Sequence, residues 1–519
     1  MDRMVNRERV LHSTAPTTAA CRARRHPLST LLLLAAAGLL AAAMGRRQAR
    51  PSRWWSEPLW AAGCGLVFAG LSTWVTSPLL MEHEVCMPDF PEYCQGILQL
   101  NGEIDIYPDK RSRAAGWLPA VMSRAHGILD GLAWAGVISS VALGAALYAW
   151  GRVLSSRAGG LLTVAVAMTM APLAGLPRIL AYYPELAAGL TAAAAATAAA
   201  VARPTAARLF LAGVGVGLCL LLDVRGLVWA LPYGGMIVLS GLSAPGRWQR
   251  RALLVAVGLV PVWLSWLGGW YAYTAFSAPL ESQIDIRPLF YAHGVREAAF
   301  LPPYTYDSGL IWGWTSPTEL LGTLQFILEQ RALGATVEVP FTPPSGTMMD
   351  HHLRWQGALL AGGAAALLAL LPRPRALLAL GVTVLPFAVS FHNIGGAAEL
   401  SARFYVHALP GVAAVLGVAA GSVMMLAPRL PWAGPPPSIR GAIIAATGLG
   451  LVLGWVPTWI AIDADWREPL YCYDGARKML PAALEKRSMM GVCAREIYGE
   501  EATETLPITV FDAPPWQGW

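Results

Sequence analysis

Long apolar runs separated by short turns dominate the chain. They fall at 58–80, 129–150, 159–177, 185–202, 208–223, 226–243, 252–276, 355–371, 374–391, 404–427 and 439–463. A run of about 20 apolar residues is the length a helix needs to cross a bilayer. Only helices or closed barrels satisfy their backbone polar groups in lipid. Runs of this length predict an all-α fold, a polytopic bundle of about 11–12 transmembrane spans with loops outside the cytoplasm. Composition excludes the alternatives. Hydrophobic residues make up 55% of the 519 positions and charged residues 13%. A soluble chain this apolar could not cover itself with polar surface, and a disordered chain would be rich in charge.

The turns assign the sides. Arg46, Arg47, Arg50 and Arg53 precede the first strong run. Arg152 and Arg157, Arg203 and Arg208, Arg247, Arg250 and Arg251, Arg373 and Arg375, and Arg429 and Arg440 then mark every second connection. The positive-inside rule places these turns in the cytoplasm. Segments 81–128, 277–354, 392–403 and the tail from 464 fall outside. The net charge of +6 thus reports topology, and no nucleic-acid partner is expected. Three regions follow: a basic segment 1–57, a membrane domain 58–463 and an extracytoplasmic tail 464–519. A weaker run at 29–44 could span, lie at the interface, re-enter, or precede a true start at Met44. It lacks the small-residue cleavage site of a signal peptide. The expected location is the plasma (inner) membrane, with the working face outside.

Four of the seven cysteines fall in outside segments, as an oxidising compartment allows. Cys86 with Cys94 and Cys472 with Cys493 is one pairing; a bridge between loop and tail is the other. Cys64 and Cys219 lie in spans and read as packing residues.

Chemistry concentrates outside. Segment 81–127 holds Glu82, Glu84, Asp89, Glu92, Glu103, Asp105 and Asp109 beside Lys110, Arg111, Arg113 and Arg124. Pro91–Leu100 predicts a short helix. Asp89 and Glu92 have capping-box spacing, so Asp89 has an ordinary capping role open to it as well as a chemical one. Arg178, Tyr182, Tyr183 and Glu185 sit where two runs meet outside. Asp223 and Arg225 sit at another outer turn, where they could pair with each other. His392, Glu399, Arg403 and Tyr405 open a late run. Ionisable groups near membrane depth are costly unless paired or functional. The long segment 277–354 carries Phe290, Tyr304, Tyr306, Trp312 and Trp314, suited to the membrane surface or to covering a pocket. Within it Pro317–Leu333 predicts a helix, with Leu320, Leu321, Leu324 and Ile327 on one side.

No phosphate-binding loop ending in Lys and Ser/Thr, no G-x-S-x-G elbow and no C-x-x-C pair occurs in the sequence. Glu82-His83-Glu84 and Asp350-His351-His352 could take a divalent cation, Mg or Mn, although neither has a recognised ligand spacing. No other cofactor is expected.

Four stretches carry a resemblance: Pro88-Asp89-Phe90-Pro91-Glu92-Tyr93 in the first outside loop, PRILAYYPELAAGL, LAGVGVGLCLLLDVRGLVWALP, and SARFYVHALPGVAAVLG. In order and sidedness they resemble the GT-C membrane glycosyltransferases, a group that includes protein mannosyltransferases and lipid A aminoarabinose transferases. The resemblance implies a polyprenyl-phosphate-linked sugar as donor and an acceptor that is a lipid, a glycan or a protein. It implies a first-loop acid as base, Asp89 with Glu92 second. It places Arg178, Arg225, Arg403, Lys110 and Arg111 on the donor phosphate, and Tyr93, Tyr182, Glu185 and Tyr405 on substrate. The chain departs from the family pattern in three places. The first loop reads Asp89-Phe90-Pro91-Glu92 instead of adjacent or alternate acids, Phe404 separates Arg403 from Tyr405, and only a short tail follows the spans. A transporter or a scaffold of envelope biogenesis is the alternative, and an oligosaccharide polymerase or ligase is a second enzymatic one.

Overall fold

The computed structural model describes residues 56–80, 117–126, 128–176, 183–222, 226–276, 346–397 and 407–426. All the regular structure in these residues is helical. In chain order the helices are α1 (Ser56–Leu80), α2 (Trp117–His126), α3 (Ile128–Leu154), α4 (Arg157–Met168), α5 (Ala171–Ala174), α6 (Tyr183–Ala202), α7 (Ala206–Leu222), α8 (Leu227–Leu242), α9 (Trp248–Phe276), α10 (Gly346–Leu370), α11 (Pro374–Ala397) and α12 (Leu409–Leu426). By length and composition, Gly131–Leu154 and Tyr183–Ala202 can cross a membrane, with mean hydropathies of 1.7 and 1.5; six further stretches of 10–17 residues are apolar but shorter. Leu253, Trp263, Leu264, Leu360, Leu367 and Leu368 point outward, as they would in lipid. The runs at 29–44 and 439–463, the expected helices Pro91–Leu100 and Pro317–Leu333, the tail 464–519 and both proposed disulfides lie outside the described residues.

The apolar runs become helices, with informative departures. The run 159–177 is broken after Met168. Pro172 lacks an N–H and its ring would strike the carbonyl four residues back, that of Met168. The Thr169 hydroxyl instead donates to the Val166 carbonyl at 2.6 Å. At the other end of α4 Ser156 is the N-cap, its hydroxyl accepting from the Gly159 N–H at 3.2 Å. Helix α10 begins at Gly346, so Asp350, His351 and His352 lie within a helix and not ahead of it. Helix α2 sits inside the expected first loop and packs on α3. Pro232, Pro261 and Pro386 lie inside helices.

Helix α6 is the centre. It touches α3, α7, α8, α11 and α12 and is buried around its circumference. Its alanines and Gly189 leave room for neighbours on every side, the packing that holds helices together where lipid supplies no hydrophobic drive. Close contact also joins α4 to α12. A Cβ on Gly417 would stand 2.5 Å from both the Cα and N of Thr163, and one on Gly421 would stand 2.7 Å from the Gly159 nitrogen.

A carboxylate ties one end of the bundle together. Glu57, one residue before the apolar run of α1, accepts from Arg157 Nε at 2.8 Å, Arg152 Nε at 3.2 Å and the Tyr148 hydroxyl at 3.0 Å. This fastens α1 to the turn between α3 and α4. Burial disfavours its charge, but the hydrogen bonds from Arg157 and Arg152 outweigh that and hold its carboxyl below its ordinary value. Arg152 and Arg157, read from the sequence as markers of sidedness, are also partners in a cluster.

Two outcomes are expected in thermal unfolding of the detergent-solubilised protein. Gly417→Ala lowers the midpoint, since overpacking costs about 1–3 kcal/mol, whereas Gly363→Ala, with nothing within 4 Å of the added Cβ, leaves it unchanged or higher. Glu57→Gln lowers the midpoint at neutral pH by no more than about 1 kcal/mol, because water screens the half-exposed arginines. A depressed carboxyl stabilises above its unfolded pKa and loses that contribution as pH falls through its folded one. The gap between wild type and Glu57→Gln therefore closes in acid.

Candidate functional site

At the end of the bundle away from Glu57, α6 begins with Tyr183, Pro184 and Glu185. Proline suits a first turn, where the N–H it lacks has no helical partner. A carboxylate there faces the positive end of the helix dipole, so Glu185 has a structural reason to stand at this position. Its surroundings go beyond that reason. The residue is 8% exposed, and its Oε1 has no hydrogen-bond partner among the described residues. An ordinary buried polar atom is hydrogen-bonded.

The helix register shows which way it faces. Glu185, Gly189 and Ala193 follow one another at four-residue steps. A Cβ on Gly189 would stand 2.5 Å from Leu222 Cδ1, and one on Gly215 would stand 2.7 Å from Ala193 Cα. This stripe runs against α7. Glu185 lies on this stripe one turn before Gly189, toward the C-terminal end of α7.

Aromatic rings fill the adjoining interior. Tyr183 meets His407 edge-on at 6.4 Å, and His407 meets Trp229 at 6.0 Å. Trp229 stands edge-on to Phe387 at 5.5 Å, and Phe387 lies 5.3 Å from Trp150. The column joins α6, α8, α11, α3 and the start of α12. Its far end is closed by polar bonds. Trp150 Nε1 donates to the Thr383 hydroxyl at 3.0 Å, that hydroxyl donates to the Ala379 carbonyl at 2.6 Å, and Tyr233 donates to the Thr383 carbonyl at 2.7 Å. Trp229 differs from Trp150 in this respect. Trp229 is 1% exposed, and its Nε1 has no acceptor among the described residues.

Of the residues expected at the site, Glu185 alone is described. Asp89, Glu92, Tyr93, Lys110, Arg111, Arg178, Tyr182, Arg225, Arg403 and Tyr405 lie outside the described residues. Arg225 directly precedes Gly226, and Tyr405 comes two positions before His407. Trp229 and His407 lay within the quoted motifs but stood out as neither charged clusters nor known spacings. Nothing in the sequence separates them from core aromatics. Among the described residues no group of three or more His, Cys, Asp or Glu could hold a metal ion.

The fold is shared with two solved oligosaccharyltransferase structures, in keeping with the GT-C-like fold that the resemblance implied. The structure is similar to the crystal structure of the Archaeoglobus fulgidus oligosaccharyltransferase in the apo form, with a TM-score of 0.51 and 16% identity over 89% of this chain and 60% of that one. It is also similar to AglB, the oligosaccharyltransferase of the same organism in complex with an inhibitory peptide and a dolichol-phosphate, with a TM-score of 0.50 and 14% identity over 89% and 61%. The chain thus spans about three fifths of these oligosaccharyltransferase chains. A third likeness is to ArnT from Cupriavidus metallidurans bound to undecaprenyl phosphate, with a TM-score of 0.40 and 14% identity over 86% and 78%. No protein-family model matches the chain, and no curated protein matches it in sequence.

A buried acceptor without a donor costs about 1–3 kcal/mol. Replacing Glu185 by leucine, of similar size and without that cost, is expected to raise the thermal midpoint. A lower midpoint would mean that the carboxylate is bonded within the folded protein.

Proposed function

We propose that the protein is a multi-pass glycosyltransferase of the plasma (inner) membrane. It moves a sugar from a polyprenyl-phosphate donor to an acceptor on the extracytoplasmic face. The observation that carries this reading is Glu185: a buried carboxylate with an oxygen unpartnered among the described residues, at the end of the bundle away from Glu57. Two further facts support it. AglB, similar in fold, is seen with a dolichol-phosphate, and the acids and aromatics of the sequence gather in the segments expected outside.

The chemistry asks for little beyond these groups. Asp89 takes the proton of the acceptor, with Glu92 as the other candidate. The acceptor heteroatom bonds to the anomeric carbon, and the bond from that carbon to the phosphate oxygen breaks. The electron pair leaves on the polyprenyl phosphate. Attack from the face opposite the leaving group inverts the anomeric centre. Arginine suits the departing phosphate, because its planar fork matches two phosphate oxygens; Arg178, Arg225 and Arg403 take that part, with Lys110 and Arg111. Tyr93, Tyr182, Tyr405 and Glu185 contact substrate. A divalent cation, Mg or Mn, could assist the phosphate. The names of the two oligosaccharyltransferase structures favour a second reading, in which the group transferred is an oligosaccharide.

The test is transfer by the purified protein in vesicles supplied with lipid-linked sugars. Asp89→Asn is expected to cost about 10²–10⁴-fold in rate with donor binding kept. Loss of rate in Glu92→Gln and not in Asp89→Asn would move the base to Glu92. Full activity in both would reject a first-loop base.

A further inference from the structure

Five buried side-chain polar atoms, on Ser72, Thr197, Ser422, Trp229 and Glu185, have no hydrogen-bond partner among the described residues, and they are of two kinds. Ser72, Thr197 and Ser422 are hydroxyls within helices. A helical hydroxyl can rotate onto the carbonyl one turn back, as Ser140 does toward Gly136 and Thr191 toward Ala187. Trp229 and Glu185 have no such route. An indole N–H points out along the plane of its ring and cannot reach its own backbone. A carboxylate in the first turn of a helix has only the dipole behind it.

These two groups are complementary, one a donor and the other an acceptor. They also share a layer. Tyr183, two residues before Glu185, and Trp229 both pack on the His407 ring. Glu185 lies one turn before Gly189 on the stripe that runs against α7, and Trp229 lies three residues past Gly226 in the first turn of α8. The other tryptophan of the column shows the alternative: Trp150 is bonded to Thr383 at 3.0 Å. The bundle can therefore satisfy a buried indole, and Trp229 Nε1 has no acceptor among the described residues.

We infer that the Trp229 indole N–H and the Glu185 carboxylate form a donor–acceptor pair for the hydroxyl groups of a sugar ring. The ring's apolar face would lie against the aromatic wall of Tyr183, His407 and Trp229. A hydroxyl both donates and accepts, so one ring can satisfy both groups, and aromatic faces suit the C–H face of a sugar. A lipid tail would leave both atoms unpaired, and a bare phosphate would be repelled by the carboxylate. Trp229 thereby reads the sugar of the donor and not its lipid. This inference rests on the donor proposed above.

The probes are undecaprenyl phosphate and a panel of its glucose, mannose, galactose, N-acetylglucosamine and arabinose derivatives, bound to the full-length protein in nanodiscs. Wild type should bind undecaprenyl phosphate, and at least one sugar-bearing lipid more tightly. Trp229→Phe keeps the ring and deletes the N–H. It should weaken the preferred sugar-bearing lipid by about three- to tenfold, the size of one neutral hydrogen bond, and leave undecaprenyl phosphate binding unchanged. Glu185→Gln should show the same selectivity, and Trp263→Phe, 59% exposed on α9, should change neither. An unaltered melting profile for Trp229→Phe separates lost binding from lost fold. An equal effect of Trp229→Phe on both lipid classes, or none on either, overturns the assignment, as does a wild type that prefers no sugar. Failure of wild type to bind undecaprenyl phosphate at all strikes instead at the proposed donor.

Discussion

Everything in this bundle depends on how closely its helices approach α6. Lipid tails are as apolar as leucine, so burial of leucine against leucine does not hold membrane helices together; packing and hydrogen bonds do. A helix with five neighbours must be thin, and the alanines of Tyr183–Ala202 make it thin. The same logic recurs where α4 meets α12 at Gly417 and Gly421. Large side chains appear where helices separate, and there they interlock: Trp150, Phe387, Trp229 and Tyr233 fill the interior beside α6.

Carboxylates of the same chemistry meet opposite fates at the two ends. Glu57 is bonded by two arginines and a tyrosine, and so serves to join α1 to the helices beside it. Glu185 is more deeply buried and has an oxygen with no partner among the described residues. Folding tolerates such a cost where function uses the group, since local rules are broken chiefly at functional sites. The contrast between Trp150 and Trp229 repeats the pattern with a donor in place of an acceptor. Trp150 is bonded to Thr383, whereas Trp229 Nε1 has no acceptor among the described residues.

The apolar runs made most helices legible because a membrane leaves the backbone few choices. The break after Met168 was legible in principle, since Pro172 forbids the helical carbonyl contact four residues back, but the run 159–177 reads as continuous when hydropathy alone is followed. Helix α2 was hidden because its amphipathic stretch lies within a charged segment. Glu185 stood out as an acid at the head of an alanine-rich run. Trp229 and His407 did not, because an aromatic residue beside a span reads as core or as interface anchor, and no spacing rule separates those roles from ligand contact.

The sequence by itself determined that the chain is helical and apolar, which turns carry arginine, and that an acid opens the run at 185. These follow from composition and local pattern, which need no knowledge of neighbours. Only the tertiary structure decided that α6 is the central helix, that Arg152 and Arg157 converge on Glu57, and that Trp150 finds Thr383 while Trp229 finds no acceptor among the described residues. Thr383 is 233 residues from Trp150 along the chain. Whether a buried polar group is satisfied depends on such distant partners, and their meeting is set by helix packing and by nothing written near either residue.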